Sequence, residues 1–208
     1  MSTVKNYLSL VKFSHTIFAM PFALIGFVLG IAALKNNNIH LQTNEVAIRF
    51  CLVLICMITA RSAAMGFNRL IDQEIDAINP RTQIRSLPAQ RLTRRAAWIM
   101  VLLSIAAFFL AARSLNPLCL KMAPWVLVIL LGYSYTKRFT AFCHLILGLS
   151  LGCAPMGAWV AVTGALDVLP ILIAGGVCFW TAGFDILYAL QDQDFDRLQG
   201  LHSIPAKW

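Results

Sequence analysis

Six apolar runs, roughly 15–34, 46–66, 96–112, 120–136, 141–163 and 168–190, decide what this 208-residue chain can fold into. Each approaches or exceeds the ~17–25 residues that carry a helix across the hydrocarbon core of a bilayer. Lipid offers no partner for backbone N–H and C=O groups, so a spanning segment is a helix or part of a closed barrel. A barrel needs alternating segments of about ten residues, and none is present. The expectation is an all-α, multi-span transmembrane bundle forming one domain over residues 1–208. Charged residues make up 12% of the chain, about half the share usual in soluble domains, and the mean hydropathy is +0.74.

The start of the chain does not read as a cleavable signal peptide. Lys5 and Lys12 precede a long first span with no small-residue cleavage site after it. The six cysteines, Cys51, Cys56, Cys119, Cys143, Cys153 and Cys178, lie in or beside apolar runs without a CxxC pair. They read as small buried hydrophobes, not as zinc ligands or a disulfide framework. Gly26-x3-Gly30 and Gly148-x3-Gly152 read as close helix packing, and Pro21, Pro124 and Pro155 as sites where spans kink. His15 and His144 read as interfacial or structural, and the tryptophans and phenylalanines mainly as lipid-facing or packing residues.

With the N-terminus on the cytoplasmic side, thirteen Lys and Arg residues fall inside and four outside. That distribution follows the positive-inside rule. It accounts for the net charge of +8 without nucleic acid as a partner. It also puts the ends of spans two and six on the cytoplasmic side, where the acidic residues gather.

Seven of the nine acidic residues form two clusters. One is Asn68-Arg-Leu-Ile-Asp72-Gln-Glu74-Ile-Asp76; the other runs from Asp185 through Tyr188 and Asp192 to Asp194 and Asp196. On a continuous helix Asn68, Asp72 and Asp76 share one face, as do Tyr188, Asp192 and Asp196. Glu74 and Asp194 fall off those lines. Carboxylates are costly near a bilayer and mark ions, pathways or substrates. Oxygen donors with open positions suit Mg²⁺ held jointly with phosphate. Arg69, Arg81, Arg85, Lys137 and Arg138 stand close in sequence and can neutralise phosphate oxygens. An apolar bundle with such an end suits a lipid diphosphate whose head departs from an allylic carbon. An ion pathway is the alternative, but that places carboxylates near mid-span.

These residues also carry a family resemblance that runs over essentially the whole chain. Asn68-Arg-x2-Asp72-x3-Asp76-x2-Asn79-Pro80-Arg81-Thr82 resembles the first signature of the UbiA-type intramembrane aromatic prenyltransferases. Asp185-x2-Tyr188-Ala-x2-Asp192-x3-Asp196, followed by Gly200, Ser203 and Pro205, resembles the second. Tyr133-Ser-Tyr-Thr-Lys137-Arg138 and Lys12-Phe-Ser-His15-Thr are similar to the 4-hydroxybenzoate polyprenyltransferase branch, which includes menaquinone-pathway relatives. Gln90 stands where the family's Leu-Pro-x-Gly pattern has glycine.

The resemblance implies Mg²⁺-dependent transfer of a polyprenyl group from its diphosphate to an aromatic acceptor in quinone synthesis, at the cytoplasmic face of a bacterial-type inner membrane. It implies metal ligation by Asn68, Asp72, Asp192 and Asp196 with Asp76 in support. Tyr133, Lys137, Arg81, Arg138 and Tyr188 would contact the prenyl diphosphate, and Arg61 would lie on the acceptor's side. It also implies about nine spans, of which six are here, so the chain reads as a fragment or as an inactive truncated form.

Overall fold

The structure is a computed structural model. It describes residues 13–208 apart from Ser86, Pro88, Gln90 and Arg91, with side chains described from Phe18 onward. Lys5, Lys12, Gln90 and the side chain of His15 therefore lie outside the described residues. Six long helices form: α1 Phe13–Asn36, α2 Thr43–Ile71, α4 Arg94–Leu115, α5 Pro117–Thr136, α6 Cys143–Thr163 and α7 Val168–Ala189. Short pieces follow α2 (α3, Gln73–Ile78) and α7 (a 3₁₀ turn Leu190–Asp192, α8 Gln193–Leu198 and α9 Ile204–Lys207). All six predicted spans are present, and each long helix is long and apolar enough to cross a membrane.

Local chemistry sets the helix ends. Thr93 caps α4 by accepting from the Ala96 N–H. Asn116 caps α5 the same way, with Pro117 at the first helical position, where a missing N–H costs nothing. Gly164 closes α6 at φ +70°, a conformation that favours glycine. Two distant side chains also donate to carbonyls of that end. Asn116 Nδ2 donates to Val160 O at 2.8 Å, and Arg49 donates to Val162 O at 2.5 Å.

Helix α6 is the hub, packed most extensively against α7 and α1, while α2 packs on α4. The glycine pairs explain how. A Cβ built on Gly26 would lie 2.0 Å from Pro155 O, one on Gly148 2.2 Å from Cys178 O, and one on Gly152 2.7 Å from Ala174 O. At these places backbone lies on backbone, as small residues permit in lipid, where dispersion replaces the hydrophobic drive between helices. The cysteine expectation needs correcting. Cys143 and Cys153 are buried, but Cys51 is exposed and the other three are half-buried. An apolar residue on the outer surface of such a bundle faces a lipid-like solvent, so apolarity does not dictate burial.

Candidate active site

Both acidic clusters lie at one end of the bundle, and both helices break at the first aspartate of the pair. Asp72 closes α2 at φ −93°, ψ 8°, and α3 starts at the next residue. Asp192 ends the 3₁₀ turn at φ −112°, ψ 8°, and α8 starts at the next residue. The single carboxylate face expected of a continuous helix is therefore not formed. The breaks separate each pair. Asp72 and Asp192 keep side-chain exposures of 26% and 12%, whereas Asp76 and Asp196 turn inward to 7% and 0%.

The inward carboxylates are neutralised where they lie. Asp76 takes Arg85 Nη1 at 2.5 and 2.7 Å and Arg69 at 3.6 Å. Asp196 pairs with Lys137 Nζ at 2.7 Å, although neither of its oxygens receives a hydrogen bond of standard geometry. Buried carboxylates persist only when paired. The second cluster is tied down further by the Leu201 N–H to Asp196 O at 2.9 Å and the His202 N–H to Lys137 O at 2.7 Å. Gly200, at φ +65°, makes the turn that brings these two amides round.

The outward carboxylates bring the two clusters together. Arg81 donates Nε to Asp192 Oδ1 at 2.9 Å and pairs through Nη2 with Oδ2. Asn79 Nδ2 adds a bond to Asp192 Oδ1 at 3.2 Å, while its own Oδ1 accepts the Arg81 N–H at 2.9 Å. The Arg81 guanidinium also lies 5.9 Å from the Tyr188 ring centroid. On the other side, Asn68 Nδ2 donates to Asp72 Oδ2 at 2.9 Å. Arg138 reaches Asp72 at 3.4 Å and caps Ile71 O at 2.8 Å. Burial, then the neighbouring Asp76 charge, hold the Asp72 carboxyl above the ordinary carboxylate range, against the pull of Arg138.

A cavity of about 900 Å³ opens at this end and runs inward between the helices. Its walls include Asn68, Asp72, Asp76, Arg81, Arg138 and Asp192 at the polar end, together with Arg61, Tyr133, Lys137 and Tyr188. Asp196 stands behind the wall. Asn79, His144 and Asp185 also line the cavity, although the sequence marks Asn79 and Asp185 only as parts of the two signatures and His144 only as interfacial or structural. His144 is buried and bonds Asp185 at 2.7 Å. Its signal was faint: Asp185 sits seven residues before Asp192 and would share its face on a continuous helix, but nothing local pairs it with a histidine 41 positions away.

Among the described residues, no three His, Cys, Asp or Glu side chains converge into a ready-made metal cage. The donors on offer are carboxylate and amide oxygens. They fit a hard cation that shares its shell with phosphate and water. Asp72 and Asp192 would hold such a cation, whose charge would offset the raised Asp72 carboxyl.

The model of the UbiA prenyltransferase family matches residues 15–208. The chain belongs to this family. A 4-hydroxybenzoate octaprenyltransferase of Vibrio parahaemolyticus is 33% identical over 159 residues, covering 76% of this chain and 55% of that protein. A 4-hydroxybenzoate solanesyltransferase of Synechocystis is 30% identical over 151 residues, covering 72% and 52%. The chain thus spans about half the length of the curated relatives it matches. Among solved structures, an apo UbiA homologue from Aeropyrum pernix K1 superposes with a TM-score of 0.81 at 36% identity, covering 93% of this chain and 69% of that one. A UbiA homologue from Archaeoglobus fulgidus bound to DMAPP and Mg²⁺ reaches 0.75 at 22% identity, covering 96% and 68%, and shares the fold.

Proposed function

We propose that the whole protein transfers a polyprenyl group from polyprenyl diphosphate to an aromatic acceptor such as 4-hydroxybenzoate, for ubiquinone or menaquinone synthesis, and releases diphosphate. The observation that carries this reading is that Asp72 and Asp192, one from each cluster, line one largely apolar cavity, each paired with an arginine. The two relatives named for 4-hydroxybenzoate prenyl transfer support the choice of acceptor class.

Asn68, Asp72 and Asp192 would hold Mg²⁺, with Asp76 and Asp196 setting the charge balance behind them. Bound there, Mg²⁺ supplies Lewis-acid neutralisation of the diphosphate as its C–O bond breaks. Arg81 and Arg138 donate to phosphate oxygens once they leave Asp192 and Asp72, and Lys137 adds charge from the same end. Tyr188 and Tyr133 offer ring faces and hydroxyls near the allylic carbon. The prenyl tail occupies the apolar part of the cavity, which excludes water from the cation. The mouth of the site faces the cytoplasm of a bacterial inner membrane, in keeping with the charge asymmetry of the loops.

The test uses the intact protein with a prenyl diphosphate, 4-hydroxybenzoate and Mg²⁺. Asp72→Asn and Asp192→Asn are each expected to abolish transfer. Retention of transfer by either variant would sink the metal assignment, and failure of the wild type to prenylate any phenol would sink the reading itself.

A further inference from the structure

The function proposed above gives no role to one carboxylate in the wall of the same cavity. Asp185 stands one turn before the end of α7, seven residues before Asp192. It lies at the same end of the bundle as the two clusters, against the first turn of α6. Its side chain is 33% exposed and lines the cavity, with Oδ2 2.7 Å from His144 Nδ1. His144 is 3% exposed, and its Nε2 faces the backbone N–H of Ile204 at 3.3 Å. An amide N–H can only donate, so Nε2 carries the lone pair and the ring proton sits on Nδ1, where it is donated to Asp185. The segment around Ile204 thereby sets the tautomer, and the tautomer sets the carboxylate. This is the arrangement by which a buried histidine aims an acid it does not itself replace.

Three further polar atoms along the same cavity wall are buried without hydrogen-bond partners: Thr181 Oγ1, one turn before Asp185, and Arg61 Nε and Ser134 Oγ. A prenyl tail satisfies none of them. Buried polar groups without partners are rare, and several in one cavity wall call for a polar ligand. A hydroxylated aromatic ring is one.

We propose that Asp185, positioned by His144, accepts the hydroxyl of the aromatic acceptor and takes its proton during transfer. The inference rests on the function proposed above and adds the base. As the C–O bond to diphosphate breaks, its electron pair leaves on the diphosphate oxygen. The ring carbon ortho to the hydroxyl forms the new C–C bond to the allylic carbon, and the hydroxyl proton passes to Asp185. The dienone that results loses its ring proton to the released diphosphate, and Asp185 returns the hydroxyl proton as the ring becomes aromatic again. Asp185 is then the catalytic residue and His144 a positioning residue.

The test compares the intact wild type, Asp185→Asn and His144→Gln on phenols of graded acidity, 4-hydroxybenzoate and 3-fluoro-4-hydroxybenzoate among them. Prenyl diphosphate binding is measured in parallel by calorimetry. Asp185→Asn is expected to lower kcat about a hundredfold, within the ~10²–10⁴ range of general bases, with diphosphate binding unchanged. Its deficit relative to wild type should shrink about tenfold on the more acidic phenol, which needs less help to lose its proton. His144→Gln should show a smaller loss of kcat and a displaced pH profile, with the KM for diphosphate unmoved. Wild-type kcat in Asp185→Asn, or the same deficit on every phenol, would overturn the proposal. So would loss of diphosphate binding in Asp185→Asn, which would make the carboxylate structural. A wild type that prenylates no phenol removes the parent reading and this one together; an active wild type with an unaffected Asp185→Asn removes this one alone.

Discussion

Arg81 reaches Asp192 across 111 positions of chain and grips both of its carboxylate oxygens. The contact joins the two acidic clusters, and it gives the arginine two partners in turn. Without ligand it neutralises a carboxylate; under the proposed function it turns from Asp192 to the diphosphate. Replacing Arg81 by Met should raise Mg²⁺ affinity several-fold in the absence of diphosphate, because Asp192 loses its counter-ion. The same change should raise the KM for prenyl diphosphate about ten- to hundredfold, as loss of charge-assisted bonds worth ~1.5–3 kcal/mol predicts. Calorimetric titration with Mg²⁺ alone checks the first half and steady-state kinetics the second. A drop in both affinities would show Arg81 to be a structural tie only.

Asp76 and Asp192 should respond differently to the same substitution. Asp76 balances the nearly buried Arg69 and the partly buried Arg85. Asp76→Asn should therefore lower the thermal midpoint as well as activity, since it strands positive charge away from water. Asp192→Asn, at the cavity wall, should abolish transfer with a smaller thermal change. Thermal scans of both variants in one detergent decide it, and equal midpoints would refute the division between anchoring and working carboxylates.

Lys137 holds Asp196, which has no exposure at all. Lys137→Met should cost about 2–3 kcal/mol. That is below the ~3–5 kcal/mol of a fully buried pair, because Lys137 is 39% exposed and solvent screens it. The double variant Lys137→Met with Asp196→Leu should recover much of that stability, read as the midpoint of unfolding. No recovery would mean that the lysine acts through contacts other than the ion pair.

Gly148 has no room for a methyl group against Cys178 O, while Gly132 has nothing within 4 Å. Gly148→Ala should destabilise the α6–α7 contact by about 1–3 kcal/mol. Gly132→Ala should be neutral or stabilise α5 by up to ~1 kcal/mol, as alanine does in helices. Parallel unfolding curves test the pair, and matching losses would refute the close-contact reading of Gly148.

Much of the architecture could be read from order along the chain. The six spans follow from hydropathy, because a bilayer admits few other uses for twenty apolar residues. The helix ends at Thr93, Asn116 and Gly164 are local chemistry. The gathering of both clusters at one end follows from counting spans. The division of labour within each Asp-x3-Asp pair was not visible. A uniform helix puts all its i, i+4 side chains on one face, whereas one residue of altered backbone at Asp72 and at Asp192 redirects everything after it.

The sequence by itself determined a helical membrane bundle of this family with two carboxylate clusters and nearby basic side chains, because period, hydropathy and motif spacing are properties of neighbours. Only the tertiary structure decided that Asp72, Asp76 and Asp192 line the cavity, with Asp76 neutralised by Arg85 and Arg69, while Asp196 is sealed behind it. It likewise decided that Arg81 crosses to the second cluster, and that His144 stands between Asp185 and the Ile204 N–H. These are contacts between residues far apart in sequence, made where burial forces each charge to find whatever partner the packing brings, and no local pattern encodes which partner that is.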